Sequence, residues 1–120
     1  MRKGPSNPVV KEDCLVREVL YKITEARAGA ASVVAKSGRL RGIFTDGDLR
    51  RHLETDNSLG TRQVRDVMTK NPVTISKDCL ASEALRILKE RRIDELPVVD
   101  AKKRPIGMLD VQDLLKAGLV

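Results

Sequence analysis

The stretch GIFTDGDLRRHLE, Gly42–Glu54, decides how the rest of the chain is read. Gly42 is followed by residues that suit a strand, then by Thr45-Asp46-Gly47-Asp48, then by an apolar and basic run of helical character. Thr45 placed as N-cap accepts from the backbone N–H of Asp48, and Asp48 reaches back to Thr45. This is a capping box with Asp in place of the usual Glu. The same geometry suits a ligand. A helix N-terminus presents free N–H groups and the positive end of its dipole to a phosphate. The Thr45 hydroxyl adds a donor, and the Asp48 carboxylate, one turn on, can accept from ribose hydroxyls, as acidic residues do in dinucleotide sites. Gly42 leaves room for a ligand beside the backbone. Capping and nucleotide binding both stand as readings of this stretch.

The stretch has a counterpart in Gly107-Met108-Leu109-Asp110-Val111-Gln112-Asp113, which keeps the glycine and the second acid but has Asp110 at the place of Thr45. Asp caps a helix as well as Thr does. Against a phosphate it sets negative charge beside negative charge. The cap explains both halves; the nucleotide reading fits the first better. The match extends outward. With the chain laid over itself so that Asp13-Cys14-Leu15 falls on Asp78-Cys79-Leu80, Glu18 falls on Glu83, Arg27 on Arg92, Val33-Val34 on Val98-Val99, and Asp48-Leu49 on Asp113-Leu114. One residue off that register, Asn7-Pro8-Val9 meets Asn71-Pro72-Val73. Ordered identities across both halves mean an internal duplication.

Each half reads as β-α-β-β-α. A short extended piece (PVVK, then PVTI) precedes a helix with apolar residues at helical spacing: Leu15, Val16, Val19, Leu20, Ile23, then Leu80, Ala84, Leu85, Leu88. Two strands follow, SVVAK and LRGIFT, then LPVVD and PIGML, and a second helix closes each half from about Asp46 and about Val111. The expected fold is α/β: tandem β-α-β-β-α repeats packed with pseudo-two-fold symmetry. The expected division is a linker remnant at 1–6, repeat 1 at 7–56, a polar inter-repeat linker at 57–70 in which VRDVMT adds a short helix, and repeat 2 at 71–120.

Composition narrows the function classes. The 120 residues hold no Trp, one Tyr and one Phe, so the core must be aliphatic and base-stacking RNA surfaces are disfavoured. The net charge of +6 is spread in short runs that acids interrupt, which suits a solvated surface and small anionic ligands better than nucleic acid. No apolar run approaches the ~20 residues of a membrane span, and no secretory signal is legible. Cys14 and Cys79 lack CxxC spacing, and His52 is the single histidine, so neither a metal cluster nor a nucleophile–base pair is expected. The cysteines read as free thiols in a reducing cytoplasm.

The duplicated unit, with a G-h-h-[S/T]-x-x-D motif ending its last strand, resembles a CBS domain pair, or Bateman module, over Asn7 to Val120. GIFTDGDLRR, DVMTKNPVTI and DLLKAGLV are similar to the C-terminal regulatory part of bacterial arabinose 5-phosphate isomerases. Those enzymes serve the synthesis of the sugar acid Kdo of lipopolysaccharide or capsule, and their catalytic SIS domain is missing here. The resemblance implies a regulatory fragment without catalytic residues, with MRKG as the end of an interdomain linker. It implies ligand clefts between the repeats: Thr45 on phosphate and Asp48 on ribose in the first, with Arg50 and Arg51 in reach of a further anionic group, and Asp113 on ribose in the second. Base-side walls would be Val9-Val10 and Ser32-Val33 in one cleft, and Thr74-Ile75 and Leu96-Pro97 in the other. CMP-Kdo, AMP or ATP are the expected effectors, and a homodimer through the CBS helices and contact with the SIS domain the expected associations. The alternatives are a structural dimerisation module with vestigial clefts and, less favoured, a nucleic-acid-binding module.

Overall fold

The computed structural model describes residues 1–116 and 118; Ala117, Leu119 and Val120, at the end of the closing DLLKAGLV stretch, lie outside the described residues. The first repeat runs β1 (Val9–Lys11), α1 (Val16–Ala26), β2 (Ala30–Val34), β3 (Leu40–Thr45) and α2 (Asp46–Leu53). The second runs β5 (Ile75–Ser76), α3 (Ala81–Arg91), β6 (Glu95–Val99), β7 (Pro105–Asp110) and α4 (Val111–Lys116), and β4 (Thr69–Lys70) lies between them. The β-α-β-β-α order read from the sequence is therefore present twice. One sheet has the order β1-β2-β3-β4 and the other β5-β6-β7.

In both halves the first strand pairs parallel with the second, and the second antiparallel with the third. A parallel pair needs a crossover, and α1 and α3 supply it. The middle strands are covered on both faces, so β2 is buried at every position and is not an alternating strand, Ser32 being its one polar residue. Helix α1 buries Val16, Val19 and Ile23 along one stripe. They pack with Val33 and Phe44 in the first core, while Ala84, Leu88, Leu96 and Leu114 form the second. Ala30, Ile43 and Met108 join the two sheets.

Both crossover helices end on an arginine in the left-handed region, Arg27 and Arg92, each at φ 54°. That place usually takes glycine, because a side chain there is strained. The duplication preserves the strained arginine in both halves.

The inter-repeat segment is more ordered than its polar composition suggests. It contains two short 3-10 turns, Leu59–Thr61 and Val64–Asp66, and Leu59 and Val64 are buried in the first core. Leu15, the N-cap of α1, provides no side-chain cap, and the segment supplies the missing partner. The Val16 N–H donates to Arg62 O at 2.9 Å, and the Val64 N–H donates to Cys14 O at 2.8 Å.

Each sheet gains an outer edge from the segment that precedes the other repeat. Thr69 pairs with Ile43 and Lys70 with Gly42. At the equivalent place in the second sheet, Arg2 bridges Met108, exchanging N–H···O bonds of 2.8 and 3.0 Å. Met1-Arg2-Lys3 thus plays the part of Met68-Thr69-Lys70. Gly42 and Gly107 make the crossings possible. A Cβ on Gly42 would lie 2.6 Å from both Thr69 O and Met68 Sδ; on Gly107 it would lie 2.8 Å from Met1 Sδ and 3.0 Å from Arg2 O. The space beside Gly42, read from the sequence as room for a ligand, is filled by the chain itself. Gly42→Ala is expected to destabilise the fold by about 1–3 kcal/mol, the usual range for overpacking. Gly107→Ala should cost less, because its contacts are looser, 2.8 and 3.0 Å against 2.6 Å. Urea unfolding of the two variants checks both the sign and the order.

Candidate functional site

The chain turns from β3 into α2 at Thr45, and the capping box expected there is present. The Asp48 N–H donates to Thr45 Oγ1 at 3.1 Å, and the Thr45 N–H donates to Asp48 Oδ2 at 3.0 Å. The Asp48 carboxylate does more than cap. Its Oδ2 also lies 3.2 Å from Thr45 Oγ1, and Oδ1 accepts from Thr69 Oγ1 at 2.9 Å and from the Arg51 guanidinium. Asp48 is 2 % exposed, the most buried charged residue among those described. A buried carboxylate is tolerable only when its lone pairs are used, and here a backbone N–H, two hydroxyls and a guanidinium approach it. Arg51 reaches in from the surface: its side chain is 65 % exposed.

These residues form one wall of a cleft of about 400 Å³. Ile43, Thr45, Asp46, Gly47, Asp48, Arg50, Arg51 and Thr69 come from the first repeat and the crossing strand; Arg92, Ile93, Asp94 and Glu95, following α3, come from the second. The cleft therefore lies between repeats. It combines hydroxyls, the first turn of α2 and three guanidiniums with the carboxylates of Asp46, Asp94 and Glu95.

The structure brings together Thr45, Asp48, Arg50 and Arg51. Val10, Ser32 and Val33, given by resemblance as walls of the same cleft, do not line it: Val10 (3 % exposed) points into the first core from β1, and Ser32 and Val33 (0 % each) lie in β2, which is covered on both faces. Val9, on the other face of β1, is exposed. Ser32 Oγ and Asn7 Oδ1 are each buried without a hydrogen-bond partner among the described residues. In the second half, Leu96 and Pro97 are buried in β6, Ile75 packs against the second core, and Thr74 lines a separate small groove with Leu40, Asn71, Pro72 and Val99.

Sequence reasoning missed Thr69, Arg92 and Glu95 as cleft residues. Arg92 carried a signal, since it is the repeat-mate of Arg27 and both ends of α1 and α3 were legible. Thr69 carried none, because its position follows from the strand crossing at Gly42.

The second half has the same cap with different chemistry. The Asp110 N–H donates to Asp113 Oδ2 at 2.9 Å, and the Asp113 N–H donates to Asp110 Oδ1 at 3.0 Å. Arg2 stands where Thr69 stands in the first half, its Nε 3.6 Å from Asp110 Oδ2. Elsewhere, Cys14 and Cys79 are both free, and burial, joined by Glu18 at Cys14 and Glu83 at Cys79, pushes their thiols up. Among the described residues no cluster of His, Cys, Asp and Glu could hold a metal, and no helix is long and apolar enough to cross a membrane.

Two β-α-β-β-α units with a capped strand-to-helix turn at the cleft define a tandem CBS pair. Residues 1–55 and 64–120 both match the model of the CBS domain, and the chain belongs to that family. It is 41% identical over 122 residues to the arabinose 5-phosphate isomerase KdsD of Pseudomonas aeruginosa, matching all of this chain and 37% of that protein. It is 40% identical over 119 residues to KdsD of Francisella tularensis, matching 99% of this chain and 36% of that protein. The chain thus spans little more than a third of the length of these curated relatives. Among solved structures, CBSX2 in complex with AMP superposes with a TM-score of 0.82 at 28% identity, covering 99% of this chain and 92% of that one. The CBS pair of MJ0100, solved with 5'-methylthioadenosine and S-adenosyl-L-methionine, superposes at 0.87 with 20% identity, covering 98% and 90%, a likeness of fold alone.

Glu95 sits where acids crowd. Burial, then Asp94, Asp110, Asp46 and Asp48, push its carboxyl up to about 7 from an ordinary 4.5. Between those two values the folded chain holds a proton that the unfolded chain has released, so this group makes stability fall as pH rises from about 4.5 to about 7. The melting temperature is expected to drop across that window, and Glu95→Gln should flatten this part of the slope. Thermal melts of both proteins at a series of pH values read the difference.

Proposed function

We propose that this chain is the effector-sensing CBS pair of an arabinose 5-phosphate isomerase acting in the cytoplasm on the route to Kdo. The effector is a nucleotide or nucleotide-sugar bound in the Thr45 cleft, and its binding biases an attached catalytic SIS domain. The observation that carries this reading is the convergence of a buried carboxylate, Asp48, with the Thr45 hydroxyl and the guanidiniums of Arg50, Arg51 and Arg92 in a cleft shared by both repeats. The likeness to a CBS pair solved with AMP supports it, and so does identity with KdsD along the whole chain. AMP and ATP fit the hydroxyl and guanidinium set through ribose and phosphate. CMP-Kdo fits through its cytidine ribose and offers a carboxylate to an arginine.

Asp48 is saturated without a ligand, and this gives binding a specific route. A ribose diol takes the place of the Thr69 hydroxyl and the Arg51 guanidinium on Oδ1. Arg51, mostly exposed and held by this one carboxylate, then turns to the ligand's phosphate or carboxylate. The exchange keeps the Asp48 carboxylate paired, and the affinity draws both on its bonds to the ribose and on the anionic group that Arg51 and Arg50 gain.

A second reading is a structural dimerisation module with vestigial clefts. It is favoured by the completeness of the Asp48 capping box and by an apolar groove of Leu85, Leu88, Ile93, Val111 and Leu115 beside α3 and α4. A homodimer through the CBS helices belongs to both readings, so its detection by light scattering does not separate them.

Calorimetric titration with AMP does separate them. Asp48→Ala is expected to weaken binding about ten- to a hundred-fold through loss of charge-assisted hydrogen bonds. It should also lower the stability of the free protein by about 1 kcal/mol through the lost cap. Asp113→Ala, which removes the cap alone, should lower stability less and change affinity much less. Similar stability losses with no nucleotide binding to the parent protein would favour the structural reading.

A further inference from the structure

The duplicated clefts have diverged at two positions that meet in space. Thr45 and Thr69 in the first half correspond to Asp110 and Arg2 in the second, since Thr69 pairs with Ile43 as Arg2 bridges Met108. In the first half the end of α3, at Arg92, Ile93 and Asp94, lines an open cleft. In the second half the corresponding wall is the end of α1, at Ala26 and Arg27, and the Arg2 side chain reaches across to it. Arg2 Nη2 donates to Arg27 O at 2.7 Å, Nη1 donates to Ala26 O at 3.3 Å and to Ser6 O at 3.4 Å, and Nε faces Asp110 Oδ2 at 3.6 Å. The polar partners of this guanidinium among the described residues are three carbonyls and a carboxylate. The Ala26 carbonyl, the last of α1, carries the negative end of its dipole. The second half thus sets a carboxylate, Asp110, where the first sets the Thr45 hydroxyl. It suits a planar cation and repels a phosphate.

We infer that the second cleft is a guanidinium site filled by the chain's own Arg2, a latch that ties the segment 1–3 across the pair and leaves one anion-binding cleft per chain. The count of one cleft rests on the reading of the Thr45 cleft as a nucleotide site; the latch itself does not. Arg2 closes the second cleft from the first repeat's helix to the second repeat's last strand, in the position that a ligand occupies between repeats in the first. The backbone exchange with Met108 and the fit beside Gly107 fix the approach, so the side chain is delivered to its acceptors without a long search.

Chemical rescue tests the latch. Arg2→Ala removes the guanidinium and leaves its acceptors, so ethylguanidinium at low millimolar concentration should raise the melting temperature of Arg2→Ala and leave that of the parent unchanged. Ethylammonium, which lacks the planar fork, should rescue at least about tenfold less well. Adding Asp110→Asn, which keeps the cap but removes the charge, should weaken the rescue by about tenfold. If truncation to alanine prevents folding, Arg2→Gln, which keeps the stem without the charge, replaces it in the same titrations. Equal response of parent and variant to ethylguanidinium, or a rescue indifferent to Asp110→Asn, would overturn the latch. Titration with AMP tests the count separately. The parent should bind one AMP per chain, and Arg2→Thr combined with Asp110→Thr, which restores the first-half residues, should bind two. Two sites in the parent would overturn the closure of the second cleft. No AMP binding by the parent would defeat the nucleotide reading, and the ethylguanidinium result would still decide the latch.

Discussion

The backbone of Thr69 passes so close to Gly42 that no side chain fits between them, and the rest of the site depends on that approach. It lets β4 add to the edge of β3, which sets the Thr69 hydroxyl on Asp48 Oδ1. With that bond made, a buried carboxylate has partners on both oxygens, and α2 can start with its charge turned inward. The same crossing threads the inter-repeat segment past α1, whose uncapped N-terminus takes its partner from Arg62. One steric condition at a glycine therefore joins sheet edge, helix start and cleft wall.

Much of this architecture was legible in the sequence, because duplication doubles every signal. The β-α-β-β-α order, the apolar stripes of α1 and α3 and the T-x-x-D cap follow from periodicity and local hydrogen bonding, which act within a few residues. The parts that escaped are long-range. Leu59 and Val64 sit among polar neighbours and read as linker, but they fill the first core. Thr69 and Arg2 reach the clefts only because each segment crosses to the other repeat's sheet or end. The walls assigned to Val10, Ser32 and Val33 failed to meet the Thr45 cleft for a related reason. Ser32 and Val33 lie on a strand covered on both faces, and Val10 lies on the core-facing side of β1.

The two halves show how a duplicated fold can keep its mechanics while changing its chemistry. Asp110 caps α4 as Thr45 caps α2, so the strand-to-helix turn survives the substitution. Beside it, a hydroxyl in one half is a guanidinium in the other. The first cleft keeps hydroxyls, three guanidiniums and a buried carboxylate beside its other acids, while in the second half Arg2 already holds its acceptors. Glu95, at the start of β6 opposite Asp110, stands between these two environments, and its proton responds to both.

The central claim is that a nucleotide enters the Thr45 cleft and engages Asp48. Backbone amide NMR during addition of AMP tests it most directly. The account predicts that the amide signals of Thr45, Gly47, Asp48, Thr69 and Arg92 shift together and saturably, while those of Asp110, Val111, Gln112 and Asp113 stay in place. Equal shifts in the two groups, or saturable shifts confined to the second, would contradict it.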